Sequence, residues 1–356
     1  MSIFEHADFD GHEGVHFFED KQIGLKAVIA VHSTRRGPSA GGTRFWSYAS
    51  SADALTDALR LSKAMSYKNA MADLPLGGGK GVVMKPGGNF DRTDLFKAYG
   101  ARINLLSGSY ITAEDVGMTP DDMKIIRSET PYAAGLDEGP AASGDPSPVT
   151  ADGVFRGLQV AVSHKLNRSS LKDVKVAVQG LGHVGYNLCK LLHAAGAQLW
   201  VADINADRVT QAVNAFNANA VSTDRIHACA VDIFSPCALG GAINASTLPE
   251  IKASIIGGAA NNQLKSPELG EALQSRGILY CPDYVINAGG IINIAAEVSG
   301  TYEKDWVKTK LTGLQSTLKT IFERAQNEGV ATNIIADKMA QDRIFGSDLS
   351  FGENHT

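Results

Sequence analysis

Residues 174–185 read Val-Lys-Val-Ala-Val-Gln-Gly-Leu-Gly-His-Val-Gly, and a second apolar run, Leu199 to Ala202, ends at Asp203. Val174, Val176 and Val178 alternate as a β-strand does, and Leu188 to Ala195 carry a helical apolar stripe. Between them Gly180, Gly182 and Gly185 form G-x-G-x-x-G. The first glycine permits a tight turn, the second lets a pyrophosphate approach the backbone, and the third lets the helix pack closely on its strand. The helix start then offers unpaired N–H groups to phosphate. Asp203 stands where an acid accepts hydrogen bonds from the adenosine ribose and repels a 2′-phosphate, which favours NAD over NADP. Glycine triplets alone often mark only turns; strand, turn, helix, second strand and terminal acid in order predict a Rossmann-type unit.

Outward from this unit, 356 residues exceed what one hydrophobic core usually supports, so two domains are expected. The predicted class is α/β: an N-terminal α/β substrate domain and a Rossmann-type NAD-binding domain, separated by a cleft. The expected division is 1–145, completed by 331–356, and 146–330. A net charge of -5 without a basic block argues against nucleic acid. No apolar run is long enough for a membrane span, and the start lacks a signal-peptide pattern, so a cytoplasmic protein is expected. Four scattered cysteines suit neither a disulfide framework nor a zinc motif; Cys189 and Cys281 read as small buried hydrophobes. The histidines show no metal-binding spacing.

Before the Rossmann unit, residues 15–32 look strand-rich with a turn near 20–24, and 40–44 form a compact glycine-rich segment. A helix is predicted over 53–65, a strand at the apolar tail of 74–84, and helices over 95–106 and from Thr119, a natural N-cap followed by Pro120. Residues 131–148 read as a boundary loop. Further on, helices are predicted over 150–162, 207–215, 287–296, 305–326 and 331–344. Short strands are expected at 230–234, 243–245, 254–258 and 278–280, and a less ordered tail beyond Phe345.

A dinucleotide domain does not choose a reaction, and three polar positions in the first domain carry the chemistry: Lys68, Lys80 and Asp115. Lys80 follows Gly77-Gly78-Gly79, where crowding and desolvation, with a second cation nearby, lower an ammonium pKa and make a base available. Against this stands a lysine snorkelling from a strand. Lys68 equally suits a solvated helix end, and Asp115 a loop cap.

Ser66-Tyr67-Lys68-Asn69-Ala70, Gly77-Gly78-Gly79-Lys80 and Ile111-Thr112-Ala113-Glu114-Asp115-Val116-Gly117 resemble the amino-acid dehydrogenase family of glutamate, leucine, valine and phenylalanine dehydrogenases. Gly144 to Thr150, Gly257 to Leu264 and Pro282 to Gly290 extend the resemblance, which runs from about Gly24 to Ile344 and is strongest to the leucine-type members. It implies oxidative deamination of an L-amino acid to a 2-oxo acid and ammonium with NAD, and a homo-oligomer, octamer or dimer, with oligomerisation added to the role of the N-terminal domain. It further implies that Lys68 binds the substrate carboxylate with the backbone of Gly41 and Gly42, Lys80 activates water, and Asp115 exchanges protons with the amino group. Asn262 is implied to hold substrate and nicotinamide, and Ala40, Met65, Ala113, Ile291 and Ile294 to line the side-chain pocket. On the cofactor side it implies Gly180, Leu181, Gly182, His183, Val184 and Gly185 at the pyrophosphate and Asp203 and Ile204 at the adenosine. Thr150, Cys237, Ala238, Ala260, Asn261 and Asn287 fall toward the nicotinamide.

That pocket holds no cation for a second carboxylate, so leucine is expected first, then phenylalanine, with valine and isoleucine open. Ala40 is smaller than the aliphatic residue usual in leucine-type members, and Ile291 and Ile294 are larger than the usual valines. Two other classes compete: an inactive dinucleotide-binding regulator, against which Lys80 and Asp115 are both present, and a 2-hydroxy-acid dehydrogenase, which needs a His–acid pair that this constellation lacks.

Overall fold

The computed structural model describes residues 2–136, 143–300 and 302–346. The chain forms two compact units. The first runs to Asp145 and takes in Ile294–Glu303 and the chain from Ala340; the second comprises Pro146–Asn293 and Lys304–Met339.

In the first unit, strands β1 (Gly14–Asp20), β2 (Leu25–Ser33), β3 (Ser39–Trp46), β4 (Gly77–Met84) and β5 (Tyr110–Glu114) form one mixed sheet in the order β1-β2-β4-β3-β5. Helix α1 (Ser51–Met71) covers one face through Ala54, Ala58 and Leu59, which pack on Val28, Ala30 and Val82. Helices α2 (Arg92–Asn104) and α3 (Pro120–Glu129) cover the other, where Leu95, Phe96, Tyr99, Met123 and Ile126 meet Ala27, Ile29, Val31 and Val83. Alternate residues of β2 thus enter opposite cores, which is why this strand reads as an unbroken apolar run. Thr119 caps α3 in a reciprocal capping box with Asp122, with Pro120 in the first turn.

Residues 40–44, expected as a separate glycine-rich segment, lie within β3, and the glycines of 77–79 are themselves strand residues. Their missing side chains admit neighbouring protein: a Cβ on Gly77 would run into the Ser33 carbonyl, one on Gly78 into the backbone of Ser66 on α1, and one on Gly79 into the Tyr110 ring.

The second unit opens with α4 (Ser147–Leu166), followed by β6 (Lys175–Gln179), α5 (His183–Ala194), β7 (Gln198–Ala202), α6 (Ala206–Phe216), β8 (Asn219–Ala220), β9 (Ile233–Pro236), β10 (Ile255–Ile256), α7 (Leu269–Ser275) and β11 (Leu279–Tyr280). The six strands are all parallel, in the order β11-β10-β9-β6-β7-β8. Helices α8 (Asp283–Ile286), α9 (Gly289–Val298), α10 (Lys304–Glu328) and α11 (Thr332–Phe345) follow. The strand expected at 230–234 lies slightly later, because Val231 sits in the turn that leads into β9. Residues 243–245 make only an isolated bridge, Ile243 to Leu264.

Residues 331–339 group with the second unit rather than the first, since the Thr332 hydroxyl donates to the Tyr280 carbonyl at 2.7 Å. Residues 294–303 group with the first: the Glu297 carboxylate accepts from the backbone N–H groups of Gly135, Leu136 and Ser143 at 3.0–3.2 Å. The tail beyond Phe345 and the middle of the 131–148 loop lie largely outside the described residues. Among the described residues, no helix is long and apolar enough to cross a membrane.

Candidate active site

In the first unit, strand register assembles the residues on which chemistry was expected. Ala40 pairs with Gly78 on one side and Ile111 on the other, while Gly41 and Gly42 pair with Thr112 and Ala113 of β5. Met65 of α1 lies over Gly41, with its Cγ 3.1 Å from where a Cβ would stand. Lys68 follows one turn later on the same helix face and is half-buried. Beside Gly42, a Cβ would come within 2.8 Å of the Asp115 Cβ. A Cβ at Gly41 would also strike the Gly79 carbonyl and one at Gly42 the Glu114 carbonyl, so these glycines let β3 pack closely against its neighbouring strands beneath Met65 and Asp115.

Lys80 projects from β4 and is only 5% exposed; its Nζ donates to Asp115 Oδ2 just beyond the end of β5. Burial pushes the Lys80 ammonium below the ordinary lysine range; Asp115 opposes that shift and Arg44 adds to it. Burial works to raise the Asp115 carboxyl, but Lys80 and then Arg44 outweigh it and hold it below the ordinary range. The result is a carboxylate that stays ionised beside an amine that gives up its proton more readily than a surface lysine.

Arg44, Asp57 and Tyr48 were missed from the sequence. Arg44 Nε lies 3.8 Å from Asp115 Oδ2, its Nη1 donates to Asp57 Oδ2 at 2.8 Å, and the Tyr48 hydroxyl donates to the same oxygen at 2.5 Å. Arg44 is a cation that acts on Lys80 from this network. Reading 40–44 as a compact glycine-rich segment hid this; strand alternation from Gly42 would have placed Arg44 on the same face.

In the second unit, β6 is flanked by β7 and β9, so the chain leaves the sheet centre in opposite directions on either side of it. Such a switch point opens a crevice at the carboxyl ends of the strands. Gly180 (φ +97°) turns out of β6, and a Cβ there would meet Cys237 and Ala238 beyond β9 at 2.9 Å. At Gly185 a Cβ would strike the Gly180 carbonyl, which explains the third glycine as helix-to-strand packing. Gly182 faces open space and caps α5 without any side-chain hydrogen bond, between Leu181 and the exposed His183, with Val184 next on the helix. The Asp203 carboxylate accepts from Leu181 N–H at 2.6 Å and Asn205 N–H at 2.8 Å, so it braces the glycine turn.

A cavity of about 830 Å³ spans Gly180, Gly182, Asp203, Cys237 and Ala238, and includes Ile204 and Leu239, which are 96% and 88% exposed. Farther along the strand ends, Asn287 Nδ2 donates to Asn261 Oδ1 at 2.7 Å and to the carbonyls of Ala259 and Ala260 at 3.2 and 3.5 Å. Asn287 Oδ1 is buried without a hydrogen-bond partner and is thus an acceptor ready for an amide N–H. Thr150 on α4 lies against Gly289 and Gly290 at the start of α9. The open glycine cradle, the braced acid and the unpaired amide oxygen together fit a nicotinamide dinucleotide. Asn262 occupies an exposed loop of this unit with φ +51°, and Ile291 and Ile294 stand one turn apart on α9.

Comparisons with known proteins agree with this layout. Residues 12–132 match the model described as Glu/Leu/Phe/Val dehydrogenase, dimerisation domain, and residues 200–344 the model described as Glutamate/Leucine/Phenylalanine/Valine dehydrogenase. The chain is 46% identical to leucine dehydrogenase of Bacillus cereus over 97% of its own length and 94% of that protein. It is 42% identical to valine dehydrogenase of Streptomyces coelicolor, over 95% and 94% of the two chains. The crystal structure of L-tryptophan dehydrogenase from Nostoc punctiforme superposes with a TM-score of 0.83 at 44% identity, covering 94% of this chain and 96% of that one. With both domain models matched and near-complete coverage at this identity, the chain belongs to the glutamate/leucine/phenylalanine/valine dehydrogenase family.

Proposed function

We propose that this protein catalyses the NAD-dependent oxidative deamination of L-leucine and other branched-chain L-amino acids, and the reverse reductive amination. The observation that carries this reading is the buried Lys80 paired with the part-buried Asp115, which packs closely against Gly42. An amino acid, NAD⁺ and water would become a 2-oxo acid, ammonium, NADH and a proton. The cofactor, when bound, supplies the hydride acceptor.

In this reading Lys68 and the backbone of Gly41 and Gly42 hold the substrate carboxylate, fixing the α-carbon. Asp115 takes a proton from the substrate ammonium, loss of hydride then leaves a substrate iminium, and neutral Lys80 takes a proton from the water that attacks it. Asp115 returns its proton to nitrogen so that ammonia becomes the leaving group. Asn262, Ile291 and Ile294 are assigned to substrate, and Thr150, residues 180–185, Asp203, Ile204, Cys237, Ala238, Ala260, Asn261 and Asn287 to cofactor. Asp203 favours NAD, because a 2′-phosphate would meet its carboxylate; Arg208 and Arg225 line the same cavity, but Arg225 is paired with Glu250 at 3.1 Å. The description of the first domain model supports self-association, as does the edge strand β1 with its exposed Phe17.

A second reading, an aromatic substrate, rests on the small side chains of Ala40 and Ala113, which would occlude less of the expected side-chain pocket than larger residues. The name of the tryptophan dehydrogenase relative points the same way. Initial rates with L-leucine, L-valine, L-isoleucine, L-phenylalanine, L-tryptophan and L-glutamate, each with NAD and NADP, test both. We expect the highest kcat/KM for leucine with NAD. An aromatic preference would move the assignment to the second reading, and failure of every amino acid in both directions would overturn the activity.

A further inference from the structure

We infer that Arg44 is a positioning residue that ties the Lys80–Asp115 pair to helix α1 through Asp57, supplying the second positive charge beside Lys80 and a waiting partner for Asp115. The inference rests on Lys80 being the general base of the proposed reaction.

The placement follows from register. Arg44 of β3 pairs with Val82 of β4, and Val82 packs under α1. Lys80 lies two residues earlier on the same strand and therefore on the same face, toward α1 and Asp57. Among the charged groups acting on Lys80 are Asp115 from the end of β5, Arg44 from β3 and Asp57 from α1, with Tyr48 bonded behind Asp57. Nη1 of Arg44 is committed to Asp57. Its Nε is buried, has no hydrogen-bond partner, and stops 3.8 Å short of the Asp115 oxygen that Lys80 holds.

A buried donor left unmade at that distance from a carboxylate is a bond that closes by a small rotation. While Lys80 is an ammonium, it holds Asp115 Oδ2. When Lys80 is neutral it holds the carboxylate more weakly, and Arg44 is in place to take it up. Asp115 then remains compensated through the proton transfers without leaving the site. The planar fork of arginine permits one nitrogen to grip Asp57 while another faces Asp115, a geometry the single ammonium of lysine cannot copy.

The test compares wild type with Arg44→Gln, Arg44→Lys and Asp57→Asn by two readouts across pH. One is the kcat/KM profile for oxidative deamination. The other is trace acetylation of Lys80 by acetic anhydride, followed by peptide mass spectrometry, which reports the lysine's protonation without turnover. Arg44→Gln is expected to raise both midpoints by about one pH unit, because a cation is lost from beside Lys80. Asp57→Asn is expected to lower them, because an anion is lost. Arg44→Lys is expected to fall between wild type and Arg44→Gln. Midpoints of Arg44→Gln that coincide with wild type would overturn the inference, as would Asp57→Asn moving in the same direction as Arg44→Gln. If Arg44→Gln does not fold, Arg44→Lys and Asp57→Asn decide by the direction of their shifts. If the wild type oxidises no amino acid, the proposed function fails while the acetylation midpoints still decide the role of Arg44.

Discussion

Lys80 and Asp115 are bonded to one another from unequal surroundings: the lysine side chain is 6% exposed and the aspartate 22%. The drier partner is the one whose charge is less favoured: burial lowers the pKa of the Lys80 ammonium, while Lys80 and Arg44 keep that of the Asp115 carboxyl low. Replacing Lys80 by Ala is expected to lower kcat by about 10²–10⁴-fold, the usual contribution of a positioned acid–base group. NAD affinity, followed by fluorescence titration, should change little, since the residues assigned to cofactor lie in the second unit. A K80A enzyme with near-normal kcat would remove Lys80 from the chemistry.

Gly78 and Gly182 look alike in sequence and should respond in opposite ways to Ala. On β4, a Cβ at Gly78 has the Ser66 backbone in its place, so Gly78→Ala is expected to cost about 1–3 kcal/mol by overpacking. At Gly182 the same atom meets nothing, so stability should move by less than about 1 kcal/mol while dinucleotide binding weakens. Urea midpoints beside NAD titrations separate the two effects; equal stability losses would contradict the packing described.

Asp203 has one role within the fold and another toward the ligand. Its carboxylate braces the Leu181 and Asn205 amides, and in the proposed function it discriminates against a 2′-phosphate. Asp203→Ser is expected to reduce the NAD/NADP ratio of kcat/KM by about tenfold or more. Steady-state rates with each cofactor measure this, and an unchanged ratio would assign the discrimination elsewhere in the cavity.

Asp122 makes stability depend on pH. Burial would raise its carboxyl, but Arg92, whose Nε and Nη2 donate at 2.7 Å each, and the Thr119 cap together hold it below the ordinary value of 3.8. A folded-state pKa below the unfolded one contributes stability that is complete above the unfolded value and is lost as pH falls through the folded one. The wild type should therefore exceed Asp122→Asn in unfolding free energy at pH 7, with the gap closing below about pH 4. Denaturant titrations at pH 7, 5 and 3 check the sign; a gap that widens on acidification would contradict it.

Local sequence determined the elements whose signals are local. The alternation of Val174, Val176 and Val178, the three glycines after it and the acid closing the next strand specified the nucleotide-binding unit, because each residue answers a backbone demand at its own position. Thr119 and Pro120 started α3 for the same reason. The family-like motifs likewise pointed to Lys68, Lys80 and Asp115. Only the tertiary structure decided what the glycines at 77–79 are for, since the atoms they admit, from Ser33, Ser66 and Tyr110, come from other parts of the chain. It alone brought Arg44 and Asp57 to the pair, and moved 294–303 to the first unit through Glu297. The physical reason is the same in each case: periodicity and turn chemistry record what a residue does to its own backbone, whereas a charge network depends on which strands become neighbours and in what register.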